Sequence, residues 1–128
     1  MPGESTQPIR SYRDLIVWQK GMDLVVECYR LSKKLPASEQ YGLSAQIQRS
    51  AASIPANIAE GHARRHTGDY VHHLSMAVGS LAELETHLDL TVRLGFLRQA
   101  DVDPVLGRTA EIGRMLFSLI AKLQQRKR

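Results

Sequence analysis

The five histidines of this sequence are its first candidates for binding a metal ion. Three pairs have helical spacing, so each pair could share a helix face. His62 and His66 are four residues apart, as are Glu83 and His87, and Asp69 and His72 are three apart. A protein metal site needs three or four converging ligands, and the Glu-x-x-His motif of di-iron bundles is absent from the sequence. We therefore expect no metal and no cofactor. The histidines predicted to lie on the solvated surface are His62, His66, His72, His73 and His87.

Arg65 and His72 form the pair whose spacing could support acid–base catalysis. Six residues separate them, and in a helical ribonuclease an arginine can hold the phosphate while a histidine transfers the proton. The spacing also arises by chance in chains rich in both residues, and no other part of an active site is visible. No catalytic triad, glycine-rich phosphate loop or Cys-His nucleophile motif is recognisable. We predict a protein that is not an enzyme, with a helical ribonuclease as the minor alternative.

Apolar residues recur at steps of three and four in four segments, which predicts four amphipathic helices. Helix one is expected from about Asp14 to Lys34, with Ser11 and Asp14 forming a capping box at its start. Helix two contains Pro55, whose missing N–H group predicts a kink near residues 51–54. The apolar stripe of helix one is Leu15, Trp18, Met22, Val25, Val26 and Tyr29, and that of helix two is Leu43, Ile47, Ala51, Ile54 and Ile58.

The remaining helix ends follow from turn-forming residues. Helix two is expected to end near Gly61 or one turn later, and helix three to begin with Thr67 as its N-cap. Gly95 should close helix three, because glycine adopts the left-handed conformation at little cost. Asp103 and Pro104 suggest the start of helix four. The stripes are Tyr70, Leu74, Ala77, Val78, Leu81, Leu84, Leu88 and Val92 in helix three, and Ile112, Met115, Leu116, Leu119, Ile120 and Leu123 in helix four.

Short connections between four helices predict an all-α, antiparallel up-down-up-down four-helix bundle. In that arrangement the C-termini of helices two and four share one pole, and both are basic. Cations at these ends favour the helix dipole and solubility. Equally, they could bind the phosphates of a nucleic acid. The candidate nucleic-acid-binding residues are Arg64, Arg65, Lys122, Arg126, Lys127 and Arg128.

Asn57 and Glu60 lie close to the apolar face predicted for helix two. A buried carboxylate without a partner is costly, so we expect the pair to bond across to Ser80, Glu83 or Glu85 of helix three, or to a neighbouring subunit. The alternative is a ligand site. The residues predicted to form a structural polar network or an interface are Arg49, Asn57, Glu60, Glu83 and Glu85.

Two segments, QIQRSAASIPANIAEG at 46–61 and GSLAELETHL at 79–88, resemble the bacterial four-helix bundle family named for the 23S rRNA intervening-sequence protein. DLIVWQK at 14–20, PASEQYGL at 36–43 and LGFL at 94–97 extend the resemblance from Tyr12 to about Leu123. It implies a bundle that assembles into a ring-shaped homopentamer. The related accessory protein of diversity-generating retroelements is a pentamer that binds nucleic acid and a reverse transcriptase. The resemblance therefore also implies RNA, DNA or a reverse transcriptase as partners.

Length and composition are those of one globular domain. The chain has 128 residues, of which 43% are hydrophobic and 23% charged. We expect a flexible arm at residues 1–10, the bundle at 11–125 and a basic tail at 126–128. The single cysteine, Cys28, suits a reducing cytoplasm. Residues 1–8 lack the features of a signal peptide, and no apolar run is long enough to cross a bilayer, so a cytoplasmic protein without a membrane partner is predicted.

The sequence thus predicts a non-enzymatic homo-oligomer, pentameric by the resemblance, that binds RNA or DNA through its basic surface with little sequence specificity. The alternative is a protein-interaction scaffold or accessory subunit that binds no nucleic acid. Trp18, Tyr29, Tyr70 and Phe117 offer more apolar surface than one four-helix core requires, which supports the oligomer.

Overall fold

The computed structural model describes residues 8–126, and within them the chain is helical without a β-strand. The four helices are α1 Ile16–Ser32, α2 Leu43–His62, α3 Thr67–Arg93 and α4 Gln99–Arg126, with short 3-10 turns at Tyr12–Asp14 and Ala37–Glu39. This confirms the predicted all-α four-helix fold. Among the described residues, none of these helices is long and apolar enough to cross a membrane.

Each helix contacts two others, so that α1 lies beside α2 and α4, and α3 lies beside the same two helices. On the α1–α2 face, Gly21 lies against Pro55, whereas Ser32 accepts a hydrogen bond from Gln48 at 3.0 Å. Residues later in α1 therefore contact residues earlier in α2. This is the order of contacts in an antiparallel pair.

Ion pairs show the same opposite order between α1 and α4. Lys20 lies 3.3 Å from Glu111. About two turns further along α1, Glu27 lies 2.9 Å from Arg108. These side chains are partly exposed, so each pair contributes little to stability by itself. Their value here is geometric, because they place the second turn of α1 near the middle of α4 and the later turns of α1 nearer to the start of α4.

Each helix buries one apolar stripe in a common core. The stripes predicted for α2, α3 and α4 are confirmed, since every member is buried or packs against the core. The fully buried side chains at the centre of these three helices include Ile47, Ile54, Ile58, Leu74, Leu84, Leu88, Ile112 and Leu116.

The stripe predicted for α1 was wrong in part, because the core is centred on a neighbouring face of that helix. Leu15, Trp18 and Val25 pack against the core, whereas Met22, Val26 and Tyr29 are exposed. The buried residues of α1 are Val17, Gly21, Leu24, Cys28 and Leu31, together with Ser32. Both faces carry apolar residues at helical spacing, so periodicity alone does not choose between them. Gly21 decides the packing. A Cβ atom placed there would lie 3.4 Å from the Pro55 Cβ, which shows how closely the two backbones approach.

Two predicted helix starts also differ from the structure. The Ser11–Asp14 cap closes the first 3-10 turn, where Ser11 accepts from the Arg13 N–H at 3.2 Å and Asp14 accepts from the Arg10 N–H at 2.9 Å. The α-helix itself begins later, at Ile16. That backbone hydrogen bond from Arg10 lowers the pKa of Asp14.

Helix α4 begins at Gln99, before the predicted Asp103–Pro104 start, and Pro104 lies inside it. The reason is an earlier cap: the Arg98 N–H donates to the Asp101 carboxylate at 2.9 Å. This backbone hydrogen bond, aided by the Arg98 side chain, lowers the pKa of Asp101. The extra turn adds Val102 to the core.

The end of α3 follows the prediction for Gly95, which has a φ of +79°. The Gly95 N–H donates to the Val92 carbonyl at 3.0 Å and the Phe96 N–H to the Thr91 carbonyl at 2.9 Å, the two bonds of a Schellman motif. Its start is one residue from the prediction, with His66 as the N-cap. Helix α2 continues through Pro55 as one helix, and the kink near residues 51–54 stays a prediction.

A close contact between helices lies at Gly61, near the end of α2. An added Cβ atom there would be 2.8 Å from the His73 Cβ and 3.0 Å from the Tyr70 Cδ1 of α3. Glycine is therefore required by the close approach of the two helices rather than by backbone conformation. This contact fixes the start of α3 against the end of α2.

We expect Gly61→Ala to lower the free energy of unfolding by about 1–2 kcal/mol, because overpacking outweighs the better helix propensity of alanine. Gly79→Ala on α3 is the matched control, since no atom lies within 4 Å of its added Cβ. It should raise the free energy of unfolding by about 0.5–1 kcal/mol. Urea denaturation followed by circular dichroism measures both. Equal shifts in the two variants would contradict the close approach at Gly61.

Candidate functional site

The candidate nucleic-acid-binding residues lie at the ends of α2 and α4. The end of α2 packs on the start of α3 through Gly61. Further along α3, Glu85 bonds Thr109 of α4, and Leu81 lies nearest to Gly113. Contacts on α4 thus move towards its C-terminus as those on α3 move towards its N-terminus. We call this end of the bundle the basic pole, defined by Arg64, Arg65, Lys122 and Arg126.

The residues of the basic pole differ in their surroundings. Arg65 and Arg126 are exposed. Arg64 donates to the Glu60 carboxylate at 3.0 Å, and both side chains are about half exposed. An exposed ion pair of this kind is weak, so Arg64 can leave Glu60 for another anion at little cost. Lys122 is half-buried and interacts with other groups of the chain. The predicted residues Lys127 and Arg128, like most of the predicted arm at 1–10, lie outside the described residues.

Asn57 and Glu60 do reach helix α3, but at a residue that the sequence did not suggest. Asn57 donates to the Ser53 carbonyl at 2.9 Å, and its Oδ1 lies 3.3 Å from the His73 Nδ1. The Glu60 carboxylate lies 4.0 Å from the other ring nitrogen, Nε2. The expected bonds to Ser80, Glu83 or Glu85 were wrong, because the tight turn at residues 63–66 sets these two residues opposite the start of α3.

The other predicted network residues are dispersed over the bundle. Glu85 accepts a 2.6 Å hydrogen bond from the hydroxyl of Thr109 on α4. Glu83 lies 3.9 Å from His87 Nε2 on its own helix. Arg49 is exposed on α2. Only Asn57 and Glu60 are therefore brought together, with His73 as the residue that joins them.

A shallow groove of about 330 Å³ runs along the outer side of α3 and α4. Its walls are mostly apolar, with Val78, Leu81 and Phe117 among the lining residues and Glu85 and Arg114 as its charged groups. Phe117 is 61% exposed. A side chain of this size at the edge of a groove is available to contact another molecule.

A second apolar surface lies on the outer face of α1. Met22, Val26 and Tyr29 follow one another at helical spacing and are each nearly half exposed, at 44–48%. These three residues, called here the α1 ridge, belong to the stripe that was predicted to be core. Trp18 of that stripe is instead partly buried, with its ring 5.2 Å from that of Tyr12.

The residues considered for catalysis and for metal binding differ in what the structure shows of them. Arg65 and His72 are both exposed. Within residues 8–126, no group of three or more histidine, cysteine, aspartate or glutamate side chains could hold a metal ion. Burial raises the pKa of the Cys28 thiol to about 12, which makes it a poor nucleophile. Desolvation likewise raises the pKa of Tyr70 to about 12.

Comparison with known proteins identifies the family. Residues 13–118 match the profile of the 23S rRNA-intervening sequence protein family. The chain belongs to this family. A crystal structure of a protein of unknown function from the S23 ribosomal protein family of Bacteroides thetaiotaomicron is similar, with a TM-score of 0.75 and 30% identity over 81% of this chain and 97% of that one. No curated protein matches the chain.

The hydrogen bond between Glu85 and Thr109 joins α3 to α4 beside the groove. Its contribution to stability can be measured. Thr109 is 1% exposed, so Thr109→Val should leave the carboxylate without its donor and destabilise the protein by about 1–3 kcal/mol. Thr86→Val is the control, because the Thr86 hydroxyl bonds the Ala82 carbonyl at an exposed position, and should change stability by no more than about 0.5 kcal/mol. Chemical denaturation measures the free energy of unfolding of both variants. Equal values for the two would contradict a stabilising Glu85–Thr109 bond.

Proposed function

We propose that this protein is a non-enzymatic, homo-oligomeric bundle that binds RNA or DNA at the basic pole with little sequence specificity. The observation that carries the proposal is the exposure of Arg65 and Arg126 at the same end of the bundle, beside Arg64. Guanidinium groups bind phosphate oxygens in a bidentate manner. Contacts to phosphates provide affinity without reading the base sequence.

The charge distribution around Arg64 supports this surface. Glu60 holds Arg64 only through an exposed pair, so a phosphate can replace the carboxylate at small cost. The family name links these proteins to a 23S rRNA intervening sequence, which agrees with a nucleic-acid partner. Repetition of the basic pole in a ring would raise the local positive potential and hence the affinity for a polyanion.

The oligomer is supported by the two apolar surfaces. The α1 ridge and the α3–α4 groove lie on different sides of the bundle, because α1 contacts α2 and α4 but not α3 within the described residues. A contact that joins the ridge of one copy to the groove of the next is therefore head-to-tail. Head-to-tail contacts close into a ring when the rotation between copies allows it, in agreement with a pentamer.

A protein-interaction scaffold is the second candidate function, favoured by the same α1 ridge. Exposed apolar side chains of this kind also bind other proteins. In that case the basic pole maintains solubility, and the partner protein, such as a reverse transcriptase, binds at the ridge. The two functions differ in their response to salt, since apolar contacts do not weaken as salt is added.

Binding should depend on the basic pole. The double variant Arg64→Glu and Arg65→Glu, combined with deletion of residues 126–128, should weaken binding to RNA and DNA of any sequence. The slope of log affinity against log salt should fall by about 0.7–0.9 for each phosphate that the variant no longer neutralises. Fluorescence anisotropy titrations at several salt concentrations measure affinity and slope, while circular dichroism checks the helix content.

Lys33→Glu with Arg93→Glu is the control for the variant that carries Arg64→Glu and Arg65→Glu without the deletion. These exposed residues lie at the other end of α1 and α3, and both double variants change the net charge by the same amount. The control should retain most of the binding. Equal losses of affinity in the two double variants would show that net charge, not the basic pole, drives association. Absence of salt-sensitive binding by the wild-type protein would leave the scaffold function in its place.

Assembly should depend on the α1 ridge. Val26→Lys with Tyr29→Lys should reduce the mass in solution to that of a monomer, because it places two charges in a desolvated contact. Tyr41→Lys is the control, since Tyr41 is an aromatic residue that is 88% exposed away from the ridge. Light scattering at micromolar concentration gives the mass. A monomeric wild-type protein, or an oligomer that survives the ridge substitutions, would contradict the ring.

A further inference from the structure

Four of the five histidines lie between residues 62 and 73, at the turn that carries Arg64 and Arg65. His66 and His72 are exposed. His62 is half-buried, with its ring edge-to-face with that of Tyr70 at 5.7 Å. The three side chains therefore lie on the same segment of the chain as Arg64 and Arg65, and His66 and His72 are open to solvent.

His73 is placed differently, because its side chain is only 13% exposed between α2 and α3. The Asn57 amide donates to Ser53, which turns its oxygen towards His73 Nδ1 at 3.3 Å. Since that oxygen can only accept, Nδ1 carries the proton and the Nε2 atom faces Glu60 at 4.0 Å. A proton added at Nε2 would give Glu60 a second cationic partner besides Arg64, at 3.0 Å.

The charged groups around this turn are mostly cationic. Besides the arginines of the basic pole, Glu60 faces the turn from α2 and Asp69 lies in the first turn of α3. Asp14, on the 3-10 turn that packs against α1 and α2, is paired with Arg10 at 3.5 Å. Added positive charge on the histidines thus meets few carboxylates that would neutralise it.

We propose that His62, His66 and His72 belong to the phosphate-binding surface and that the basic pole binds polyanions more tightly when these histidines are protonated. This inference rests on the proposed nucleic-acid function. Histidine is the side chain that ordinarily changes charge between about pH 5 and 8. Each protonated ring supplies a cation and N–H donors for one more phosphate, and each phosphate neutralised releases counterions.

The sign of the effect follows from linkage. The bound state favours the protonated rings, so affinity rises as pH falls through the histidine range, and binding takes up protons by the same coupling. Protonation therefore changes the number of phosphates that the basic pole can bind.

The test is a salt titration of the full-length protein with fluorescent oligouridylate, whose bases gain no proton in this range. Between about pH 8 and about pH 5.5, affinity at low salt should rise at least about tenfold, and the salt slope should steepen by about 2, close to 0.7 for each of three further phosphates on a single strand. The triple variant His62→Gln, His66→Gln and His72→Gln should lose most of both changes.

His87→Gln is the matched control, because His87 lies further along α3, where its Nε2 is 3.9 Å from Glu83. It should respond to pH like the wild-type protein, and circular dichroism should show unchanged helix content in both variants. Binding that is equal at the two pH values, or a pH response that persists in the triple variant, would overturn this inference and leave the proposed function intact. Absence of binding at both pH values would overturn the two together.

Discussion

The close approach of α2 and α3 at Gly61 is the contact on which the rest of the structure depends. An additional methyl group there would meet the His73 and Tyr70 side chains at 2.8–3.0 Å, so the last turn of α2 and the first turns of α3 are held together. The short turn between them is thereby fixed at one end of the bundle. Its position sets the distance of Asn57 and Glu60 from His73, and presents Arg64 and Arg65 to solvent.

The charged and the apolar surfaces of the bundle lie in different places. The basic pole and the adjoining turn expose arginines and histidines, whereas the α1 ridge and the α3–α4 groove are apolar. Because these surfaces lie on different parts of the molecule, contacts between copies need not cover the cations. Assembly through the apolar surfaces would instead bring several basic poles close together, which strengthens binding to a long polyanion.

Sequence reasoning succeeded where one physical signal had a single interpretation. The stripes of α2, α3 and α4 and the closing role of Gly95 belong to this class. It failed in part for α1, where two neighbouring faces are apolar and the close contact between Gly21 and Pro55 lies on the inner one. It also failed for α4, where Asp103 and Pro104 resemble a helix start but the cap formed by Arg98 and Asp101 begins the helix earlier.

The partners of Asn57 and Glu60 could not be read from the sequence because they depend on how tightly the α2–α3 turn closes. Spacing along one helix places side chains on a face, but it does not give the register between two helices. His73 became the joining residue only when the structure set it opposite Asn57. The basic pole was more accessible to prediction, because it follows from connection lengths and from the order of the helices.

The central claim is that a nucleic acid binds at the basic pole, and hydrogen–deuterium exchange with and without RNA tests it most directly. Bound RNA should slow exchange in peptides that cover residues 61–70 and 119–126. Peptides from the opposite end, residues 33–42 and 93–98, should exchange at unchanged rates. Protection confined to that opposite end, or no protection at any RNA concentration, would contradict the assignment of the binding surface.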